Sequence, residues 1–292
     1  MNSTLILKNV NKKYEKSNFA IKDISFLVPE GSIVGFIGEN GAGKSTTMNC
    51  ILNVIRRDSG TIEIFGREMT DEDIDIRENI GVVYDSNNFP EYLTARQLAD
   101  ILGRIYSKWD DFCFEQFLRR FGLPETQRIK TYSRGMSMKL AIAVALSHDS
   151  KLLILDEATS GLDPIMRDEI LDVLLEFVKQ ENHSILLSSH ITSDLEKIAD
   201  YIVFIHNGEI ILNKTKDELI YEYGVIRCSE NDFHNILSED ILSSMKKDYQ
   251  IDVLIKNRKL IEKKYKNLIV DSVSLDEIML LLVKGERNAR ID

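Results

Sequence analysis

Gly38-Glu39-Asn40-Gly41-Ala42-Gly43-Lys44-Ser45 fits G-x-x-x-x-G-K-[ST], a glycine-rich loop whose backbone N–H groups cradle nucleotide phosphates. The apolar run at 32–37 before it reads as a buried strand, and 46–54 after it reads as a helix. Strand, loop and helix N-terminus therefore come in the order that phosphate binding needs. Glycines let the backbone curl around the anion, and the helix end aims unsatisfied N–H groups and a positive dipole at it. In such a loop Lys44 sets a point charge between the β- and γ-phosphates, and the Ser45 hydroxyl ligates Mg²⁺. The remaining loop residues and Thr46 wrap the phosphates. A glycine turn beside a lone lysine is the bland alternative, and the flanking strand and helix weigh against it.

Outward from this loop, 292 residues at 43% hydrophobic suffice for one large or two modest domains with their own cores. A formal charge of −10 is the reverse of the footprint of a general nucleic-acid binder, so no direct nucleic-acid partner is expected. Cys50, Cys113 and Cys228 are too scattered for a metal pattern or a disulfide framework and suit a reducing cytoplasm. The N-terminus lacks the pattern of a secretory leader, and no window approaches 18 uninterrupted apolar residues. The most apolar late segment, 275–283, is too short and carries Asp276 and Glu277. Any membrane role is therefore expected to run through a partner.

Ahead of the loop, 4–10 and 19–28 alternate apolar and polar residues and predict two antiparallel strands. Tyr14 lies between them, and by itself reads as an edge tyrosine. Strands are expected at 61–65 and 80–84, the second running into the polar Asp85-Ser86-Asn87-Asn88. From about 88 to 148 the pattern turns helical, with Thr94, Asp110 and Ser133 as candidate N-caps. The continuous apolar run 151–155 suits a central parallel strand, followed by a helix at 165–180 and a strand at 184–188. Asn207-Gly208 between two apolar runs is a hairpin signal. Past about 219 the chain reads as a small α+β accessory domain, with a hairpin expected around Asn257-Arg258 and a capping box at Ser274 to Glu277. The division expected is 1–218 and 219–292.

Asp156 and Glu157 close the 151–155 strand, so both carboxylates should emerge at the C-terminal sheet edge beside the glycine loop. One carboxylate there can hold Mg²⁺ through water, and the other can take a proton from a water attacking the γ-phosphate. His190 follows the next strand at the same edge, placed to bond the γ-phosphate and orient the glutamate; the bland alternative is a solvated loop histidine.

Five stretches in order carry a family resemblance: the glycine loop, Tyr132-Ser133-Arg134-Gly135-Met136, Leu152-Leu153-Ile154-Leu155-Asp156-Glu157, Ser160-Gly161-Leu162-Asp163 and Ser189-His190. Together, over about 4–215, they resemble an ATP-binding-cassette (ABC) ATPase. The resemblance implies an α/β P-loop NTPase core with an N-terminal antiparallel β subdomain and a helical insertion. It implies a dimer, homomeric or with a sister subunit, that sandwiches two ATP molecules. It also implies roles: Lys44 and Ser45 on phosphate and Mg²⁺, Asp156 supporting the metal, Glu157 as general base and His190 as switch histidine. Tyr14 would stack on adenine, and Asp163 would belong to the loop that crosses the dimer. Ser133 and Gly135 would meet the γ-phosphate of ATP held by the other subunit.

Two departures stand out. The family's usual L-S-G-G-Q is here Tyr132 to Met136, with Arg134 for the first glycine and Met136 for the glutamine. Ser133 can still cap the helix and Gly135 still permits close approach, while Arg134 is expected to point into solvent. Where the family has a glutamine that senses γ-phosphate and Mg²⁺, this chain has Asp85, an acceptor that can bind metal-held water but repels phosphate; Asn87 or Asn88 is the fallback amide. Within the family the signature, Asp85 and the 274–286 end resemble ATP-binding subunits of bacterial exporters of the ABC-2 type, which pair with a separate multi-spanning permease. The reading is a cytoplasmic ATPase on the inner face of the membrane that drives export of peptides, antibiotics or other amphipathic compounds. The rival readings are an importer's ATPase and, more distantly, a soluble ABC protein acting on ribosomes or DNA.

Overall fold

The structure, a computed structural model, describes residues 2–14, 19–70, 72–85 and 89–287. Ser3–Lys13 (β1), Ala20–Pro29 (β2), Ser59–Ile64 (β4) and Arg67–Glu68 (β5) form an antiparallel sheet in the order β2-β1-β4-β5. Between its strands run Ile33–Ile37 (β3) and the helix Lys44–Ile51 (α1). The helix is one turn shorter at its C-terminus than the apolar pattern predicts, because Asn53 takes a left-handed φ of 54°.

Ile74–Glu78 (α2) leads into Ile80–Val83 (β6), after which three helices follow: Ala95–Leu102 (α3), Asp111–Arg120 (α4) and Arg134–Leu146 (α5). Thr94, Asp110 and Ser133 cap them as their positions predict, and Thr94 forms a full capping box with Gln97. Leu152–Asp156 (β7), Pro164–Val178 (α6), Ser184–Ser189 (β8), Thr192–Ile198 (α7), Tyr201–His206 (β9) and Glu209–Thr215 (β10) complete the main body. Its six-stranded sheet runs β10-β9-β3-β8-β7-β6, parallel except for β10.

Alternation along β3 shows how the layers form, since side chains of a strand point to opposite faces in turn. Val34 and Phe36 join the core under α1 and the antiparallel sheet, while Ile33 and Ile37 join the core under α5, α6 and α7. Every residue of β3, β7 and β8 is buried, as the uninterrupted apolar runs require.

Lys216–Glu222 (α8), Gly224–Cys228 (β11), Glu230–Phe233 (α9), Ser243–Lys246 (β12) and Ile251–Ile255 (β13) open the C-terminal part. Arg258–Lys264 (α10), Val270–Asp271 (β14), Leu275–Lys284 (α11) and Glu286–Arg287 (β15) follow. All pairings in its sheet, ordered β14-β11-β13-β12-β15, are antiparallel. One face closes a small core of Ile226, Val253, Ile255 and Ile261, and the other, with Val225 and Leu254, joins the main core through Leu275, Ile278 and Leu281. The hairpin expected at Asn257-Arg258 is not there. Asn257 takes φ 59°, which ends β13 and turns the chain directly into α10. A left-handed asparagine serves a strand-to-helix corner as well as a hairpin turn, and the short run 258–264 carries too few apolar residues to tell them apart.

Two buried histidines lie at the sheet edge opposite the glycine loop. His148 stacks on Tyr106 with ring centroids 4.1 Å apart, and its Nδ1 is 3.0 Å from the Glu78 carbonyl oxygen. His183 packs edge-on to Phe177 with its Nδ1 2.9 Å from the Glu181 carbonyl. Burial holds both pKa values below the ordinary histidine value. Depressed folded-state values mean that the unfolded chain takes up protons first as pH falls below about 6.5, so this stability is present above that pH and lost below it. Thermal unfolding followed from pH 7.5 to 5.5 should show a falling midpoint, and His148→Phe, which keeps the stacked ring, should flatten the slope. An equal slope in that variant would remove His148 from the account.

Candidate functional site

The glycine loop leaves β3 at a point where no side chain fits. A Cβ on Gly38 would lie 2.5 Å from the Ile205 carbonyl oxygen, and one on Gly43, whose φ is 120°, would lie 2.8 Å from Ile21 Cγ2. Inside the loop Lys44 is buried, and its Nζ donates to the carbonyls of Gly38 at 2.7 Å and Glu39 at 3.3 Å. Glu39, Asn40, Gly41 and Ser45 are exposed, Ala42 is buried and Thr46 is half-buried. The predicted hairpin supports this loop from outside. Gly208 N–H donates to the Ala42 carbonyl at 2.9 Å, and Lys22 N–H donates to the Gly208 carbonyl at 2.7 Å. Asn207 and Gly208 take φ 49° and 79°, as a two-residue hairpin turn requires, and a Cβ at Gly208 would collide with the Ala20 carbonyl at 1.9 Å.

β7 and β8 place the carboxylates. The Ser188 hydroxyl donates to Asp156 Oδ1 at 2.5 Å and accepts from Glu157 N–H at 3.1 Å. Glu157 also donates its N–H to the Ser188 carbonyl at 3.2 Å. These bonds hold Glu157 at φ 56°, a left-handed conformation that costs a glutamate about 1–3 kcal/mol. The strained turn sends its carboxylate back over the glycine loop: Oε1 lies 3.3 Å from Lys44 Nζ, and Oε2 lies 2.5 Å from His190 Nδ1. Oε1 is buried and has no hydrogen-bond partner, so its contact with Lys44 is an ion pair alone. His190 is half exposed at the mouth. His190 thus orients one oxygen of the carboxylate, and the Lys44 ammonium faces the other.

Among the described residues no group of three His, Cys, Asp or Glu could hold a metal ion alone. The oxygen donors at this edge are the Ser45 hydroxyl and the Asp156 carboxylate, of which only Oδ1 is engaged by Ser188. Two hard oxygen donors fit Mg²⁺, which takes the rest of its shell from phosphate oxygens and water.

Other expected site residues form two further groups. Tyr14 is half-buried beside the start of α1, its hydroxyl 3.3 Å from Thr46 Oγ1 and its ring tilted on Phe19. Ser133, Gly135 and Asp163 belong to a separate cluster. Ser133 Oγ accepts from Met136 N–H, and Asp163 Oδ1 caps α6 by accepting from Ile165 N–H and Met166 N–H. A Cβ on Gly135 would meet Met166 Sδ at 2.4 Å, which gives this glycine a packing reason within its own chain. Arg134 is exposed, as expected, yet its guanidinium folds over Gly161, where a Cβ would lie 2.9 Å from Nη1. Asp85 is exposed at the end of β6 and lines a groove of about 490 Å³ with Glu91, Lys130, Tyr132 and Arg134. It thus faces the start of α5. Asn87 and Asn88 lie outside the described residues.

Sequence reasoning missed Ser188, which ties Asp156 to the Glu157 backbone; its signal was a hydroxyl inside an apolar strand. It also missed Arg167 and Asp194, whose Nε and Oδ2 are buried 3.8 Å apart behind the 160–163 turn, and the hairpin tip under Ala42.

Comparison with known proteins agrees with this geometry. The family profile described as ABC transporter matches residues 21–160. The chain is 36% identical over 211 residues to the bacitracin transport ATP-binding protein BcrA of Bacillus licheniformis, covering 72% of this chain and 69% of that protein. It is 35% identical over 219 residues to the lantibiotic transport ATP-binding protein SrtF of Streptococcus pyogenes, covering 73% and 91%. A solved ATP-binding subunit of an ABC transporter superposes with a TM-score of 0.68 at 29% identity, covering 74% of this chain and 92% of that one.

Proposed function

The chain belongs to the ABC transporter family of ATP-binding proteins, and we propose that it powers a separate membrane permease that exports peptide antibiotics or similar amphipathic compounds. It is an ATPase coupled to transport. The observation that carries the export reading is the 35% identity that spans 91% of SrtF, a lantibiotic transport protein, with the bacitracin transport protein BcrA beside it. No helix of the described residues is long and apolar enough to cross a membrane, which suits a subunit that reaches the membrane through a partner at its inner face.

In this reading the glycine loop and Lys44 hold the ATP phosphates. Ser45 and Asp156 hold Mg²⁺, which when bound neutralises phosphate charge. Glu157 accepts the proton of the attacking water, and His190 fixes the carboxylate's orientation. Tyr14 packs against the adenine. Ser133, Gly135 and Asp163 complete the site of a second copy, so that two chains close on two ATP molecules, and the groove at Asp85 carries the motion towards the permease. The C-terminal residues from about 219 form an accessory domain.

Purification of the tagged chain from detergent-solubilised membranes of its native host should bring down a multi-spanning permease. Recovery of ribosomes in its place would remove the transport reading. Asp85→Ala should lower the permease-stimulated ATPase rate severalfold more than the basal rate. Unchanged stimulation would take Asp85 out of the coupling route.

A further inference from the structure

His190 is followed after one residue by α7, a helix of only seven residues that is tied down on three sides. On one side Asp194, 1% exposed, faces Arg167 of α6, while Lys197 Nζ pairs with Asp168 Oδ1 at 2.7 Å. Beneath, Leu195 packs so closely on β3 that a Cβ on Gly35 would lie 3.0 Å from its methyl groups. On the third side Glu196 reaches the C-terminal part: its Oε1 accepts from Leu275 N–H, the first residue of α11, at 2.9 Å. Its backbone carbonyl accepts from Lys216 Nζ at 2.9 Å. Leu195 and Ile198 share one core with Leu275, Ile278 and Leu281.

A carboxylate at a helix N-terminus gains from both the free N–H group and the helix dipole. The Glu196 bond is also the longest-range polar tie of α7, joining residues 79 apart in sequence. α7 is too short to hold its own position, since an isolated helix of this length does not form in water. Its place, and with it the place of His190 at its head, is set by what it is bonded to. We propose that Glu196 is a positioning residue through which α11 of the C-terminal sheet sets His190 against Glu157. The C-terminal part then acts on hydrolysis from outside the nucleotide site. This rests on reading His190 as the residue that orients Glu157.

The test is a double-mutant cycle on phosphate release at saturating ATP in the full chain, comparing Glu196→Ala, His190→Ala and the pair. Glu196→Ala should lower kcat about two- to thirtyfold with KM for ATP unchanged, the range typical of mutations that alter coupling between sites. The double variant should be no slower than His190→Ala alone. If the two losses multiply, or if Glu196→Ala keeps the wild-type rate while His190→Ala is slow, Glu196 does not act through His190 and the inference falls, with the role of His190 intact. If His190→Ala itself runs at the wild-type rate, the reading of His190 falls and takes the inference with it. Should Glu196→Ala fail to fold, Glu196→Gln, which keeps the side-chain volume but removes the charge facing the Leu275 N–H, should give the same cycle with a smaller first loss.

Discussion

Glu157→Gln is expected to bind ATP and fail to turn it over, with kcat lower by a factor on the order of 10² to 10⁴, the usual contribution of a general base. The amide keeps the volume and the acceptor towards His190 Nδ1, but it cannot take a proton from water. Folding should be little affected. The left-handed turn at 157 is held by Ser188 through backbone bonds that the substitution does not touch. Burst and steady-state phosphate release would measure the effect. Turnover at the wild-type rate would sink the assignment of Glu157 and shift attention to another carboxylate.

Lys44→Ala should act on binding and not on proton transfer. The Lys44 ammonium is buried and aimed by the Gly38 and Glu39 carbonyls, so its position is fixed before any phosphate arrives. Losing one charge-assisted hydrogen bond to phosphate costs about 1.5–3 kcal/mol, or roughly a ten- to hundredfold weaker affinity. The variant also leaves Glu157 Oε1 buried beside no cation, since the ion pair at 3.3 Å is its only contact of that kind among the described residues. Calorimetric titration with ATP should show the loss. Lys44→Arg should not restore affinity, because a planar fork does not fit a space shaped for a compact ammonium. Affinity equal to wild type in Lys44→Ala would place the phosphates elsewhere.

Much of the fold was legible because its signals are local. The apolar runs at 32–37, 151–155 and 184–188 read as buried strands and are so within one residue at each end, and Thr94, Asp110, Ser133 and Ser274 carry their capping roles in their own sequence neighbourhoods. The order of Lys44, Asp156, Glu157 and His190 was readable from motif spacing, and the fold brings Lys44 and His190 onto the two oxygens of one carboxylate. What was not legible depends on contacts between distant elements. Ser188 looks like an ordinary strand residue until its register opposite Asp156 is known. The hairpin tip at Gly208 shows a turn in sequence but not that it rests on Ala42. Glu196 is one glutamate among many until α11 is seen to begin at its side chain. The corner at Asn257 was misread for the opposite reason: one local conformation serves two different turns, and only the neighbours of β13 in the sheet decide between them.

The proposed composite site joins the glycine loop of one chain to the Ser133–Gly135 cluster of a second. It is tested most directly by the mass in solution of Glu157→Gln, measured by light scattering with Mg-ATP and with Mg-ADP. The mass should double with ATP and remain that of one chain with ADP, and the doubling should vanish when Ser133→Asp is added, which keeps a helix-capping side chain at this exposed position but sets a negative charge against the phosphate. A single-chain mass with ATP demonstrably bound would contradict it.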